Sequence, residues 1–426
     1  MIQDFKPISS VNGELKLPGD KSISHRAVIF SSMADGMSEI SNLADGEDVA
    51  STIKCMQSLG IEIEKHDLKY LIKGRGFRNF AAPISSLDAG NSGTTARLLC
   101  GLLAAQKFES TLIGDNSLSQ RPMDRVIHPL MLMGAKIESS ENKLLPIKIH
   151  SVEKLIPIEY ELPVASAQVK SAVLIAGLHS EGVTVVKDRF FTRDHTERML
   201  GLKADNIDSS RNISVSKNNY PLPSKYYVPS DISTASFFIV LTLISKSSEL
   251  ILKNVCLNPS RIGILGVLKS MNAYIEIENE STFNNEPFGD IIVKSSRLKN
   301  VEITRERIPN IIDEIPILSV AGLFADGEFQ IRFADELRKK ESDRINSLCH
   351  NFKMLGLSVE EFKDGFSLSG RVTNRFPVFE SFGDHRIALA FAVLSMHLKD
   401  GGKINKFECV SISNPNFISQ LKNIVR

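Results

Sequence analysis

The sequence predicts a two-domain α/β protein built from six similar units. Three observations carry that expectation. A polar or charged start followed by an apolar run of helix length recurs six times, at Lys21-Ser22, Asn91-Ser92-Gly93-Thr94, Ser166-Ala167-Gln168, Ser230-Asp231, Asp313-Glu314 and Asp384-His385-Arg386. A second helical pattern is interleaved with the first and gives way, mostly at a glycine, to period-two alternation; that reads as a helix followed by a half-buried strand. Successive starts stand roughly 65–80 residues apart, longer than the period of about 20–50 in solenoids and enough for a small α/β unit. Six units of two helices and several strands divide into two domains of three. That suits a chain of 426 residues at roughly 100–200 residues per domain.

The first start reads Leu17-Pro18-Gly19-Asp20-Lys21-Ser22-Ile23-Ser24-His25-Arg26. Pro18-Gly19 is turn chemistry, and Asp20 and Ser22 are both credible caps ahead of the apolar run from Ala27 to Phe30. A helix start presents unpaired N–H groups and a partial positive charge. Lys21, Ser22 and Arg26 turn it into an anion site, with Ser22 and Arg26 four apart on one face. A single stretch of this kind is better read as a capped surface helix with solvated charges; its recurrence decides otherwise. Caps need only Ser, Thr, Asp or Asn, and Lys21, Gln168, His385 and Arg386 exceed that need. If the six N-termini converge, they line a cleft for small polyanions.

The interleaved helices run from Asp48 to Gly60, Arg121 to Gly134, Ser260 to Met271 and Lys340 to Gly356, with strands expected directly after each. Other short strands are expected at 70–73, 182–186 and 290–293. Pro122 suits a first helical turn, and Arg121 stands just before it, where a side chain reaches across a cleft. Thr192-Arg193-Asp194-His195-Thr196-Glu197 opens another helix, with Arg193 a candidate anion contact and His195 a local hydrogen-bonder. Lys340-Glu341-Ser342-Asp343-Arg344 is the sharpest cluster; read as a helix start, it puts Lys340, Glu341 and Arg344 on one face. Alone it would be a solvated ion pair worth about 0.3–0.5 kcal/mol. The Asn/Ser-rich stretch from Ser209 to Ser224, with Pro221 and Pro223, reads as a loop before a domain boundary near Tyr227-Val228-Pro229-Ser230.

Composition narrows the function. A net charge of +1, with 24% charged and 42% hydrophobic residues, is ordinary for a soluble globular protein. It argues against bulk nucleic-acid or membrane binding, so any anion site is a local cluster. Five scattered cysteines without metal spacing point to reduced thiols in a cytoplasmic enzyme. No apolar run approaches the roughly 18 residues of a membrane span, and the N-terminus has no signal-peptide core. Gly19-Asp20-Lys21-Ser22 only imitates the end of a P-loop, because Asp20 interrupts Gly-Lys. Gly-x-Ser-x-Gly, His-Glu-x-x-His and Cys-x-x-Cys are all missing, so serine hydrolysis and zinc chemistry fit poorly. No metal and no cofactor are expected.

Seven stretches, taken together, resemble the 5-enolpyruvylshikimate-3-phosphate synthase family, the 3-phosphoshikimate 1-carboxyvinyltransferases, in its second bacterial branch. They are Leu17 to Arg26, Gly90 to Thr94, Arg121 to Asp124, Ser166 to Ser171, Asp313 to Pro316, Lys340 to Arg344 and Gly383 to Arg386, in family order across nearly the whole chain. The resemblance implies a two-domain inside-out α/β barrel in which each domain holds three βαβαββ-like units. It places one domain at 18–229 and the other at 1–17 and 230–426, with a hinge near both crossings. The implied reaction moves the enolpyruvyl group of phosphoenolpyruvate to the 5-hydroxyl of shikimate 3-phosphate and releases phosphate. The expected species is a cytoplasmic monomer with no nucleic-acid or membrane partner.

Carried over residue by residue, the resemblance implies that Lys21, Gly93, Arg121, Gln168, Arg344, His385 and Arg386 meet phosphoenolpyruvate. Lys21, Ser22, Arg26, Ser166, Ala167, Gln168, Arg193, Asp313 and Lys340 are implied contacts of shikimate 3-phosphate. Asp313 is similar to the family's hydroxyl-directed base, Glu341 to the group that shuttles a proton at the vinyl carbon, and Lys21 to a helper at the departing oxygen. Such a proton-shuttling carboxyl needs a raised pKa. The chain departs from the first branch in Ala167, in Arg193 and in Ser411-Ile412-Ser413-Asn414-Pro415, where that branch carries a lysine. The rivals are UDP-N-acetylglucosamine enolpyruvyl transferase, in which a cysteine usually stands where this chain has Asn116, and a catalytically silent binding protein on the same scaffold.

Overall fold

In the computed structural model, which describes residues 1–374 and 376–426, the chain forms two compact units. The first comprises Gly19–Val228 with Thr282–Glu286, and the second Met1–Pro18, Pro229–Ser281 and Pro287–Arg426.

In the first unit the helices are α1 (Lys21–Met33), α2 (Glu47–Ser58), α3 (Gly93–Leu103), α4 (Asp124–Leu132), α5 (Ala167–Gly177) and α6 (His195–Leu200). Its three sheets share one topology. Lys225–Tyr227 pairs parallel to Asp35–Ser41, which pairs antiparallel to Lys69–Arg75, which pairs antiparallel to Glu62–His66. The same order holds for Leu87–Asp88, Ser110–Ile113, Ile147–His150 and Lys136–Ser139. It holds again for Glu159–Glu161, Thr184–Asp188, Ser210–Val215 and Ala204–Ile207. The second and third units of the repeat therefore read βαβαββ along the chain. The first borrows its opening strand, Lys225–Tyr227, from the end of the domain.

In the second unit the helices are α7 (Ile232–Ile244), α8 (Gly263–Ser270), α9 (Ile308–Ile311), α10 (Ile315–Leu323), α11 (Arg344–Met354), α12 (His385–Ser395) and α13 (Phe417–Ile424). Asn12–Lys16 runs parallel to Glu249–Cys256, which pairs antiparallel with Glu286–Lys294. The next sheet has three strands, Phe329–Ile331, Gly365–Ser369 and Ser358–Phe362. Its parallel edge is reduced to a bridge between Lys299 and Asp326. The last sheet joins Ile2–Phe5, Gly402–Asn405 and Val378–Glu380.

The helices are the interior and the sheets the exterior. Every residue of α12 is buried, and so is all of α7 up to Leu243. These two and α10 pack on one another. A helix apolar all round has no solvent face to offer and must sit inside. The outer edge strands behave oppositely: Glu62–His66 and Ser358–Phe362 keep most of their residues in water. Helices inside and sheets outside is the inside-out arrangement. Among the described residues the sheets are six, each of three or four strands.

Three local expectations need correction. The stretch from Ser209 to Ser224 is not all loop, because Ser210–Val215 forms a central strand. Ile213 and Val215 alternate as its buried residues, and Ser214 between them is exposed. The helix expected from Arg121 begins at Asp124, so Pro122 precedes it. The helix expected from Lys340 begins at Arg344, because Asp343 is its cap and accepts from Asn346 N at 3.0 Å.

All five cysteines are free and buried. Burial pushes the thiols of Cys55, Cys100, Cys349 and Cys409 up to about 12, so they stay protonated and inert. Among the described residues no helix is long and apolar enough to cross a membrane, and no His/Cys/Asp/Glu group could hold a metal ion.

Candidate active site

In the first unit, side chains tie the starts of α1, α3 and α5 together. The turn before α1 demands Gly19, since an added Cβ would lie 2.0 Å from the Asn42 carbonyl oxygen. Asp20 then caps the helix by accepting from Ile23 N at 3.0 Å. Lys21 is the first helical residue, and its Nζ lies 2.9 Å from Asp48 Oδ2 on α2. Arg26 is buried one turn on. It donates to the Ser22 carbonyl at 2.8 Å, to Ser171 Oγ on α5 at 2.6 Å and to Thr196 Oγ1 on α6 at 2.8 Å. Burial pushes its pKa down to about 10; Glu197, Asp20 and Glu286 oppose the shift, and the neighbouring charge of Arg193 adds to it. Arg26 is still a cation at neutral pH.

The α3 start is capped by Ser92, which accepts from Thr95 N at 3.1 Å, and Gly93 is its first residue. Arg97, one turn later, donates to Gln168 Oε1 at 2.7 Å and to the Pro122 carbonyl at 3.2 Å. Gln168 in turn donates to Thr94 Oγ1 at 2.9 Å. Arg121 is oriented by Asn91 Oδ1 at 2.8 Å and Ser117 Oγ at 3.0 Å. Ser166 caps α5 by accepting from Val169 N at 3.3 Å, with Ala167 the first helical residue. Arg193 is half-buried in the loop before α6. Beneath these groups His25 is buried, and burial, then the charges of Lys21 and Arg26, hold it well below the usual histidine range. Its Nδ1 lies 2.6 Å from Thr52 Oγ1, itself 2.6 Å from Thr95 Oγ1. A neutral ring thus links α1, α2 and α3.

In the second unit the starts of α10, α11 and α12 meet around one guanidinium, and the start of α7 joins them through Glu314. Arg344 is buried and donates to Asp384 Oδ2 at 2.7 Å, to Glu341 Oε2 at 2.5 Å and to Asp313 Oδ1 at 3.4 Å. Burial opposes its charge, but Asp384, Glu341 and Asp313 outweigh that and hold its pKa above the ordinary arginine value. Asp384 also caps α12, accepting from Arg386 N at 2.9 Å, so one buried carboxylate fixes two helix starts. Asp313 has Lys340 Nζ at 3.3 Å, and Arg386 Nη1 donates to its carbonyl at 2.9 Å. Glu314 lies 3.6 Å from Arg386 Nη1 and accepts from Ser233 at the start of α7. His385 is the first residue of α12 and is buried.

The arrangement offers two chemistries. In the first unit Lys21 at the start of α1 and Arg97 one turn into α3, with Arg121 ahead of α4, suit anions, and in the second unit Arg386 at the start of α12 does so separately. Two partly exposed carboxylates, Asp313 and Glu341, hang on one fixed cation. A family model described as EPSP synthase (3-phosphoshikimate 1-carboxyvinyltransferase) matches residues 5–421. The chain belongs to the EPSP synthase family. A relative from Petrotoga mobilis named 3-phosphoshikimate 1-carboxyvinyltransferase is 46% identical over 99% of this chain and 99% of its own. The solved EPSP synthase of Acinetobacter baumannii superposes with a TM-score of 0.86 at 37% identity, covering 100% of this chain and 98% of that one. The enolpyruvyl transferase NikO of Streptomyces tendae superposes at 0.79 with 13% identity over 100% and 97%, which shows the fold alone.

Within the EPSP synthase fold the structure brings together Lys21, Ser22, Arg26, Gly93, Arg121, Ser166, Ala167, Gln168 and Arg193 in one unit. It brings Asp313, Lys340, Glu341, Arg344, His385 and Arg386 together in the other. Lys340 and Glu341 reach their partners from the segment before α11 rather than from a shared helix face. Sequence reasoning missed Asp48, Arg97 and Lys170. Arg97 had a signal, standing one helical turn after Gly93. So had Lys170, a single cation inside an otherwise apolar helix. Asp48 had none, because an acidic residue in a first helical turn needs no further explanation.

Proposed function

We propose that this chain transfers the enolpyruvyl group of phosphoenolpyruvate to the 5-hydroxyl of shikimate 3-phosphate, giving 5-enolpyruvylshikimate 3-phosphate and phosphate. Family membership supports the reading. The single observation that carries the mechanism is that Glu341 and Asp313 both bond to the Arg344 guanidinium, at 2.5 and 3.4 Å.

In this reading Asp313 takes the proton of the 5-hydroxyl as its oxygen attacks C2 of phosphoenolpyruvate. Glu341 gives a proton to C3, making a methyl group and a tetrahedral phosphoketal. Glu341 then takes a proton back from that methyl. The C2–C3 double bond re-forms, the bond to the phosphate oxygen breaks, and Lys21 protonates the leaving group. Arg121, Arg344, His385 and Arg386 hold the phosphate and carboxylate of phosphoenolpyruvate, and Gly93 leaves room for it. Ser22, Arg26, Ser166, Ala167, Arg193 and Lys340 hold shikimate 3-phosphate, and Gln168 touches both. The working domains are 18–229 and 1–17 with 230–426.

The test is phosphate release. Mixing both substrates releases phosphate, either one alone does not, and Glu341→Gln abolishes the release. Release with a UDP-sugar in place of shikimate 3-phosphate, or an undiminished Glu341→Gln variant, overturns the assignment.

A further inference from the structure

Lys170 lies inside α5 with no solvent exposure, and three partners surround its ammonium. Asp188 Oδ2 is 2.9 Å away, Glu197 Oε1 2.7 Å and the Thr192 carbonyl 3.2 Å. Asp188 is equally buried, and it accepts in addition from Thr192 N at 2.9 Å, Thr192 Oγ1 at 2.7 Å and Phe190 N at 3.0 Å. Burial pushes the Asp188 pKa up, but the Lys170 charge and the bonds from Thr192 and Lys170 overcome this and leave it below the usual aspartate value.

The two carboxylates flank the segment 189–196. Phe191 within it has φ 50°, a left-handed conformation that an aromatic residue rarely adopts. A strained backbone persists only where its surroundings over-determine it, and here they are the bonds that converge on Asp188 and Lys170. The segment carries Arg193 directly after Thr192, and Thr196, whose hydroxyl accepts from Arg26 at 2.8 Å. The next residue after Lys170, Ser171, supplies another partner of Arg26, at 2.6 Å.

We infer that Lys170 is a positioning residue for the shikimate 3-phosphate subsite: through Asp188 and Thr192 it fixes the segment that aims Arg193, and through Glu197 the helix turn that holds Arg26. This rests on the proposed assignment of Arg193 and Arg26. An ion pair on so dry a site adds little net stability, but it has one geometry, and that geometry sets two cations of the neighbouring anion site.

Lys170→Met leaves two buried carboxylates facing each other and can prevent folding. The test therefore runs on Thr192→Val beside it, which keeps the ion triad and removes one bond to Asp188. Thr192→Val raises KM for shikimate 3-phosphate at least about tenfold, the scale of one lost bond to a charged group. It leaves KM for phosphoenolpyruvate unchanged, and Lys170→Met, where it folds, shows the larger rise. In an Arg193→Ala background the same Thr192→Val change adds less than about twofold, because the group it acts through is gone. An equal rise in both KM values, or an undiminished effect in the Arg193→Ala background, overturns the inference. An unchanged shikimate 3-phosphate KM in Arg193→Ala alone removes the assignment of Arg193 itself, and the inference with it.

Discussion

Arg97 Nη1 donates to Gln168 Oε1 at 2.7 Å, and the same nitrogen lies 2.7 Å from where a Cβ on Gly93 would stand. Gly93 is therefore what allows the bridge between α3 and α5. Arg121 Nη1 is 3.6 Å from that Cβ position, close enough to be crowded as Arg97 gives way.

Gly93→Ala is expected to move Arg97 off Gln168 without harming the helix, whose first position accepts alanine readily. KM for phosphoenolpyruvate rises about tenfold, as for one lost bond to a charged group. Tm stays within about 2 °C. Steady-state kinetics at saturating shikimate 3-phosphate and a thermal melt check both; an unchanged KM counts against the placement.

Arg344 is 1% exposed with three carboxylates on it. Arg344→Met leaves them facing one another without a counter-charge, a loss of about 3–5 kcal/mol. Urea unfolding reads the difference. A variant as stable as the parent would mean that the carboxylates are held apart by something other than this side chain.

Stability should also depend on pH through His179. Its Nδ1 donates to the Ile175 carbonyl at 3.0 Å, and its Nε2 accepts from the Tyr220 hydroxyl at 3.3 Å, so the ring is neutral. Burial pushes its pKa down to about 4, with the Ile175 bond opposing and Arg78 adding. The unfolded chain takes up the proton below about 6.5. The stabilisation is thus fully present above that pH and is lost as pH falls from there towards 4, at about 1.4 kcal/mol per pH unit. Urea melts of His179→Gln and the parent at several pH values in this window should diverge, with the variant flatter. Parallel slopes would refute the neutral buried ring.

Much of this was legible because helix starts write themselves into sequence. Asp20, Ser92, Ser166, Asp231 and Asp384 all cap helices where polar residues precede apolar runs. The cations among them stood out because capping does not need them. The Lys340–Arg344 cluster stands out in sequence and misleads for the same reason. Spacing of three and four assumes a helix, and Asp343 begins that helix only after Lys340 and Glu341 have passed. Residues that hold other residues were harder to see. Asp48 and Asp188 show their purpose only when Lys21 and Lys170, distant in sequence, are brought beside them. The order of the strands was equally hidden, because it follows from which edges the helices leave free.

The central claim is that a carboxyl group on Arg344 protonates the vinyl carbon and later takes a proton back. Running the reaction in deuterium oxide and examining the vinyl group of 5-enolpyruvylshikimate 3-phosphate tests it most directly. The account predicts deuterium in that CH₂ with the parent protein and a loss of labelled product of at least about a hundredfold in Glu341→Gln. An unlabelled vinyl group formed at full rate would contradict it.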